Sequence, residues 1–278
     1  MRRLRRLFRA IWVAIDRFNR NDGSAMAGFI AFSGLLSLFP FLIFAATLTG
    51  IWVGADRSDS IIEALFEIAP EHVALTLAPV VEEVLGKQSG EILTLSAVFA
   101  IWVASSAVEA FRIAFDRAYA VPDPRGFIEN RALAILLVFI GAAVAALLGI
   151  CILFSPLILR FLQQVLMVPV PVVAKYVTYG FGVLVFVCFL LIMHRLLPGR
   201  QVKGSRLWPG VMISTILWVS AASAFSTYLS FTPTYTVTYG TLAGVIITLM
   251  FFYITGAAII FGAEVNAALN QIGMLDRR

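Results

Sequence analysis

Ser105, Glu109, Arg112 and Asp116 step along the chain by four, three and four residues, so on a helix they share one face. Most residues around Ser105 and Glu109 are apolar, and a bare carboxylate in such surroundings is costly. Glu109 is therefore expected to pair with Arg112, to carry a proton, or to face a wet cavity. Farther on, Thr241, Gly244, Thr248, Thr255, Gly262, Asn266 and Asn270 fall on one small or polar face, while Glu264 points roughly the other way. Such groups can hold protons or contact polar solutes. Glu109 and Glu264 are the candidate protonation sites, and Arg112 is the candidate ion partner or anion contact. Asp116 and Asn266 complete a candidate substrate or proton pathway. Pro40, Tyr239, Gly240, Gly244 and Gly262 are candidate structural or gating positions.

Hydrolytic and metal chemistry find no comparable set. A metal-dependent nuclease needs clustered His, Asp or Glu ligands, and the chain has only His72 and His194. Gly-x-Ser-x-Gly, Walker and His-Glu-x-x-His patterns do not occur. Cys151 and Cys188 lie inside apolar runs without metal spacing and read as reduced, small core residues. The expectation is a protein that is not an enzyme and holds no metal or cofactor.

The elements that must position these side chains are membrane spans. Of the 278 residues, 60% are hydrophobic and 13% charged, far from soluble proportions. A spanning helix needs about 20 apolar residues. Six stretches qualify: about 25–53, 92–111, 132–159, 172–197, 207–230 and 239–270. They leave no room for a soluble domain, so 1–278 reads as a single membrane domain. Basic residues alternate between the connections, seventeen on one side and four on the other. Short loops rich in Lys and Arg stay cytoplasmic, so both termini are expected inside. The same arrangement explains the net charge of +5 through anionic lipid headgroups, with no nucleic-acid partner.

Outside the spans, Leu4, Leu7, Phe8, Ile11, Trp12, Ile15 and Phe18 form an apolar stripe on a helix over residues 1–23. Its other face carries arginines, which suits a helix lying in the headgroup plane. The residues are too interleaved for a cleaved signal peptide. Residues 54–91 read as two short amphipathic helices divided at Pro70, an acidic external cap. Pro40 interrupts the first span and is expected to kink it. In the fifth span, Ser220, Ser223, Thr227 and Ser230 either line a polar cavity or satisfy their own preceding carbonyls. Polar groups on two sides place the sixth span in the bundle interior, and the small residues that open it favour close packing and allow a homo-oligomer.

Four strings in order carry a resemblance. They are Ala31-Phe32-Ser33-Gly34-Leu35-Leu36-Ser37-Leu38-Phe39-Pro40, Arg117-Ala118-Tyr119, Tyr239-Gly240-Thr241-Leu242-Ala243-Gly244-Val245, and Gly262-Ala263-Glu264-Val265-Asn266-Ala267. With six spans over nearly the whole chain, the sequence resembles the YihY/virulence factor BrkB family of bacterial inner-membrane proteins, long labelled ribonuclease BN. The resemblance implies an all-α integral membrane fold, a six-helix bundle with cytoplasmic termini in the bacterial inner membrane. It implies attention to Pro40, Tyr239, Gly240, Gly262, Glu264 and Asn266 but assigns them no role.

Function is expected to be translocation of a lipid or small solute without ATP. Polar groups within the spans and a proline-broken helix suit a substrate path, and no nucleotide motif exists. Both candidate carboxylates lie toward the cytoplasmic ends, so an inward-facing vestibule is the concrete form of that expectation. The alternative is a non-transporting scaffold for envelope assembly that uses the acidic external loop. Membrane lipids are the expected partners.

Overall fold

A computed structural model describes residues 2–53, 90–144, 171–199, 207–231 and 242–275. The described chain is helical: α1 (Arg2–Arg20), α2 (Gly23–Val53), α3 (Gly90–Tyr119), α4 (Phe127–Val144), α5 (Pro171–Leu196), α6 (Trp208–Phe231) and α7 (Leu242–Leu275). Five of these contain stretches long and apolar enough to cross a membrane, in α2, α3, α4, α6 and α7. A shorter apolar stretch, Gly180–Leu196, lies in α5. The protein is thus an α-helical membrane protein. Residues 54–89 of the external cap expected at 54–91 lie outside the described residues, as do Tyr239, Gly240, His72 and Cys151, while Gly90 and Glu91 begin α3. Cys188 is a free, exposed thiol.

The helices run past several expected ends. α3 continues eight residues beyond 111 to Tyr119, α4 begins at Phe127 instead of 132, and α7 extends to Leu275. Arg112, Asp116 and Arg117 are polar but good enough helix formers to prolong α3 once the apolar run has ended. Local chemistry then stops it. Val121 N–H bonds to Asp116 O and Ala120 N–H to Arg117 O, the paired bonds of a Schellman cap. Ala120 takes the left-handed conformation usually given to glycine, with φ 51°. Between α1 and α2, Asp22 also takes the left-handed conformation, with φ 57°, which Asp tolerates better than most residues. α2 continues through Pro40, which is buried.

Two compact units divide the chain: Met1–Asn21, Phe115–Leu217 and Ile259–Arg278 form one, and Asp22–Ala114 with Trp218–Ala258 form the other. In the second unit α2 and the first half of α7 approach closely. Gly256 leaves just enough space for Ile30 and the Ala27 backbone, and Gly34 faces the Phe252 ring. Trp218 of α6 donates its indole N–H to Thr255 Oγ1 at 3.0 Å and meets Phe251 edge-on. Ser220, Ser223 and Thr227 are exposed on α6, and Thr227 bonds back to Ser223 O, the self-satisfying alternative.

In the first unit α1 packs on the last turns of α7. Ala10 meets Ala268 and Ile272, with Val13 and Leu269 beside them, and Phe18 meets Phe261 edge-on. Phe8, Trp12 and Ile15 are exposed on α1. The start of α6 crosses α7 at near contact. A methyl on Gly262 would overlap Ser214 and the Gly210 carbonyl, and one on Gly210 would overlap the Gly262 carbonyl and the Asn266 side chain. α5 ends at Leu196, just before Pro198-Gly199, and Arg125 caps it, donating to Leu196 O at 3.2 Å and Leu197 O at 2.6 Å. Asp123 holds Arg125 in place at 2.9 Å, and Asp116 accepts the Gly199 N–H at 2.7 Å.

Gly210→Ala and Gly262→Ala are each expected to lower stability by about 1–3 kcal/mol through overpacking. Gly28→Ala, where a methyl meets nothing within 4 Å, is the control and should be neutral or stabilising by up to ~1 kcal/mol. Thermal unfolding of the three variants checks both. At the corner, burial alone would raise the Asp123 carboxyl, but the side-chain and backbone hydrogen bonds from Arg125 outweigh it and hold it below its ordinary value. A carboxyl held down in the folded state adds stability above the ordinary carboxylate range and loses it as pH falls through the folded value. Asp123→Asn should therefore cost ~1.5 kcal/mol at neutral pH. The wild-type advantage should shrink steadily in acid, measured by denaturation across pH.

Candidate functional site

Glu264 sits in the most continuously buried stretch among the described residues, since Gly262 through Ala268 are all buried. Its side chain is 0% exposed, yet both oxygens are engaged. Arg17 Nε donates to Oε2 at 3.0 Å, and Asn21 Nδ2 donates to Oε1. Arg17 spends its other nitrogens nearby: Nη1 donates to Gln271 Oε1 at 3.1 Å, and Nη2 to Ala118 O at the end of α3. One guanidinium therefore joins α1 to α7 and to the last turn of α3. The planar fork of arginine suits this use, because its five N–H groups diverge in fixed directions. α1 can bring it so close because its docking face is small: Ala10, Ala14, Arg17 and Asn21 recur at steps of four, three and four. Ala10 and Ala14 are fully buried.

That face overlaps the apolar stripe at Phe18 but not at the exposed Phe8, Trp12 and Ile15, and Arg17 is set apart from the exposed Arg9 and Arg20. The signal was present as an alanine stripe ending in Arg17 and Asn21. It was masked by the larger aromatic residues of Phe8 and Trp12.

A second buried polar group surrounds Asn266. The α6 helix begins at Trp208-Pro209-Gly210, and its third N–H has no partner within the helix. Asn266 Oδ1 accepts this Gly210 N–H at 2.7 Å, acting as an N-cap supplied by another helix. Its Nδ2 donates to Leu207 O at 2.9 Å and reaches Tyr119 Oη at 3.4 Å. Tyr119 Oη in turn lies 3.1 Å from His194 Nδ1. His194 is 1% exposed and stacks at a tilt on Phe115, ring centroids 4.6 Å apart. Sequence reasoning named Tyr119 only within Arg117-Ala118-Tyr119 and His194 only as one of two histidines, and gave neither a role, because a lone aromatic and a lone histidine at helix ends have no periodic partner.

The remaining candidates take simpler places. In the second unit Arg112 Nε donates to Glu109 Oε1 at 3.1 Å, the i, i+3 pair of a single helix. Glu109 thus takes the paired state among those expected. Ser105 is buried and donates to Trp102 O of its own helix. Asp116, in the first unit, binds the Gly199 backbone. Asp116, Glu264 and Asn266 therefore belong to one unit and the Glu109–Arg112 pair to the other. Gly244 and Gly262 are both buried in α7. Among the described residues no three His, Cys, Asp or Glu side chains gather as a metal site would require.

The family described as virulence factor BrkB matches residues 14–277, so the match includes Arg17, Glu264 and Asn266. A ribonuclease-like protein of Bacillus subtilis, YfkH, is 28% identical over 261 residues, covering 92% of this chain and 93% of its own length. A UPF0761 membrane protein of Coxiella burnetii is 28% identical over 256 residues, or 90% of this chain and 89% of that one. Another, from Idiomarina loihiensis, is 25% identical over 267 residues, or 92% and 89%. No solved structure matches the chain. With apolar helices throughout and a family match that spans nearly every residue, this chain belongs to the virulence factor BrkB family of membrane proteins.

Proposed function

We propose that this protein translocates a small solute or lipid across the bacterial inner membrane without ATP hydrolysis. In this reading the chain crosses six times, with both termini cytoplasmic, as the seventeen-to-four split of basic residues requires. α1 lies along the inner headgroup layer, its exposed Phe8, Trp12 and Ile15 toward lipid. The observation that carries the proposal is the wholly buried charge of Glu264 within an apolar helix. Ionised groups inside membrane helices are expensive, and they mark ion and substrate paths more often than simple structure. Asp116 and Asn266 accompany it, and Tyr119 and His194 add polar atoms that a purely structural contact would not need. Glu109 and Arg112 are the second candidate contact.

A scaffold for envelope assembly is the second reading. It is favoured by one specific feature, the engagement of both Glu264 oxygens, which leaves that carboxylate fully occupied as interhelical glue. Under the transport reading the Arg17 and Asn21 bonds must open during the cycle. The ribonuclease-like wording of the Bacillus relative does not extend to this chain in our proposal, because two histidines and no hydrolytic motif give a nuclease nothing to work with.

Mass spectrometry of the lipids and small molecules retained by purified protein tests the choice. Wild type is expected to keep a discrete species, and Glu109→Gln/Glu264→Gln protein that still elutes as a folded particle is expected to lose it. Membrane-like bulk lipid in both samples would refute translocation and favour the scaffold.

A further inference from the structure

The amide of Asn266 is fixed in one orientation, because Oδ1 accepts from the Gly210 N–H while Nδ2 donates to Leu207 O. The Nδ2 group therefore also presents a proton to Tyr119 Oη, 3.4 Å away. The phenol's own proton then has one acceptor within reach among the described residues, His194 Nδ1 at 3.1 Å. Accepting that bond leaves Nδ1 without a proton and puts the imidazole hydrogen on Nε2. Nε2 is buried and has no hydrogen-bond partner among the described residues. Phe115 covers one face of the ring, and the residue is 1% exposed. A buried N–H left without an acceptor loses its hydration with nothing in return, so native proteins complete such groups, commonly with ordered water.

We propose that the Nε2–H of His194 is a binding point for an acceptor oxygen that the described residues do not supply. A donor-only imidazole N–H selects oxygen acceptors. Two sources can supply one at this place: an internal water, or the phosphate of a lipid headgroup at the end of α5. His194 stands two residues before that end, and the Arg195 and Leu196 that follow it are exposed. The inference needs the hydrogen-bond chain Asn266–Tyr119–His194 and the membrane setting but no transport activity. Its failure would leave the translocation proposal standing, and the reverse also holds.

The chain has two histidines, so [13C,15N]histidine-labelled His72→Gln protein reports His194 alone. In phospholipid bilayers, solid-state NMR should show a neutral ring with the proton on Nε2, the ring carbons telling the two nitrogens apart. Tyr119→Phe, which removes the bond to Nδ1, should shift the unprotonated nitrogen and leave the rest of the spectrum in place. Polarisation transferred from water to Nε2–H identifies water as the acceptor, and dephasing by 31P identifies a headgroup phosphate. Either signal supports the site. A proton on Nδ1, or an Nε2–H in contact with neither water nor phosphorus, overturns it. The wild-type tyrosine background alone decides between these outcomes if Tyr119→Phe does not fold.

Discussion

A carboxylate can stay ionised inside an apolar helix only if a cation and further donors reach it there, and for Glu264 these are Arg17 of α1 and Asn21 of the turn that follows it, at the far end of the sequence. The Arg17 contact spans 247 residues of chain and the Asn21 contact 243. The charge on α7 therefore dictates where α1 must lie. It also dictates which face of α1 must be small, because a guanidinium has limited reach and Ala10 and Ala14 are what let the backbones approach. Leaving the carboxylate without its partner would strand a charge away from water, which costs several kcal/mol. The gain from the pair itself is much smaller than that loss, so its effect is to fix one arrangement of helices more than to add stability.

The same logic extends through Asn266 to the rest of that unit. A helix beginning at Trp208-Pro209-Gly210 leaves an N–H with no internal partner, and the amide of Asn266 supplies the missing acceptor. This works only because Gly210 and Gly262 lack side chains where α6 and α7 cross. Close backbone approach, an unpaired N–H and a side-chain amide are thus one feature described three ways. From the amide the hydrogen bonds continue to Tyr119 and His194, so groups on α3, α5, α6 and α7 share a single polar chain. Arg125 does the equivalent task at the end of α5, where it meets carbonyls that the helix leaves open.

Span-length apolarity made α2, α3, α4, α6 and α7 legible from the sequence, since a helix that crosses a membrane needs about 20 predominantly apolar residues. Ends were less legible. α3 runs on to Tyr119 because a helix leaving the apolar layer can carry Arg112, Asp116 and Arg117 on the turns that follow, and hydropathy does not register them as span. The Glu109–Arg112 pair was readable because its partners are three residues apart on one helix. Glu264 was readable as an anomaly but its partner was not: periodicity describes one helix at a time, and Arg17 looked like one more arginine among seven. Asn266 was singled out by position, while its partners were backbone atoms of Leu207 and Gly210, which no residue pattern encodes. The contact between Tyr119 and His194 escaped notice for a related reason, each being a single polar residue at the end of a different helix.

The most direct measurement is a double-mutant cycle on Arg17 and Glu264, using Arg17→Gln, Glu264→Gln and the pair, with unfolding followed in nanodiscs. If a buried charge on α7 is neutralised by α1, each single substitution should cost about 3–5 kcal/mol. The double should cost far less than their sum, because removing both partners strands neither. Additive losses, or single variants as stable as wild type, would contradict that pairing and with it the placement of α1 on α7.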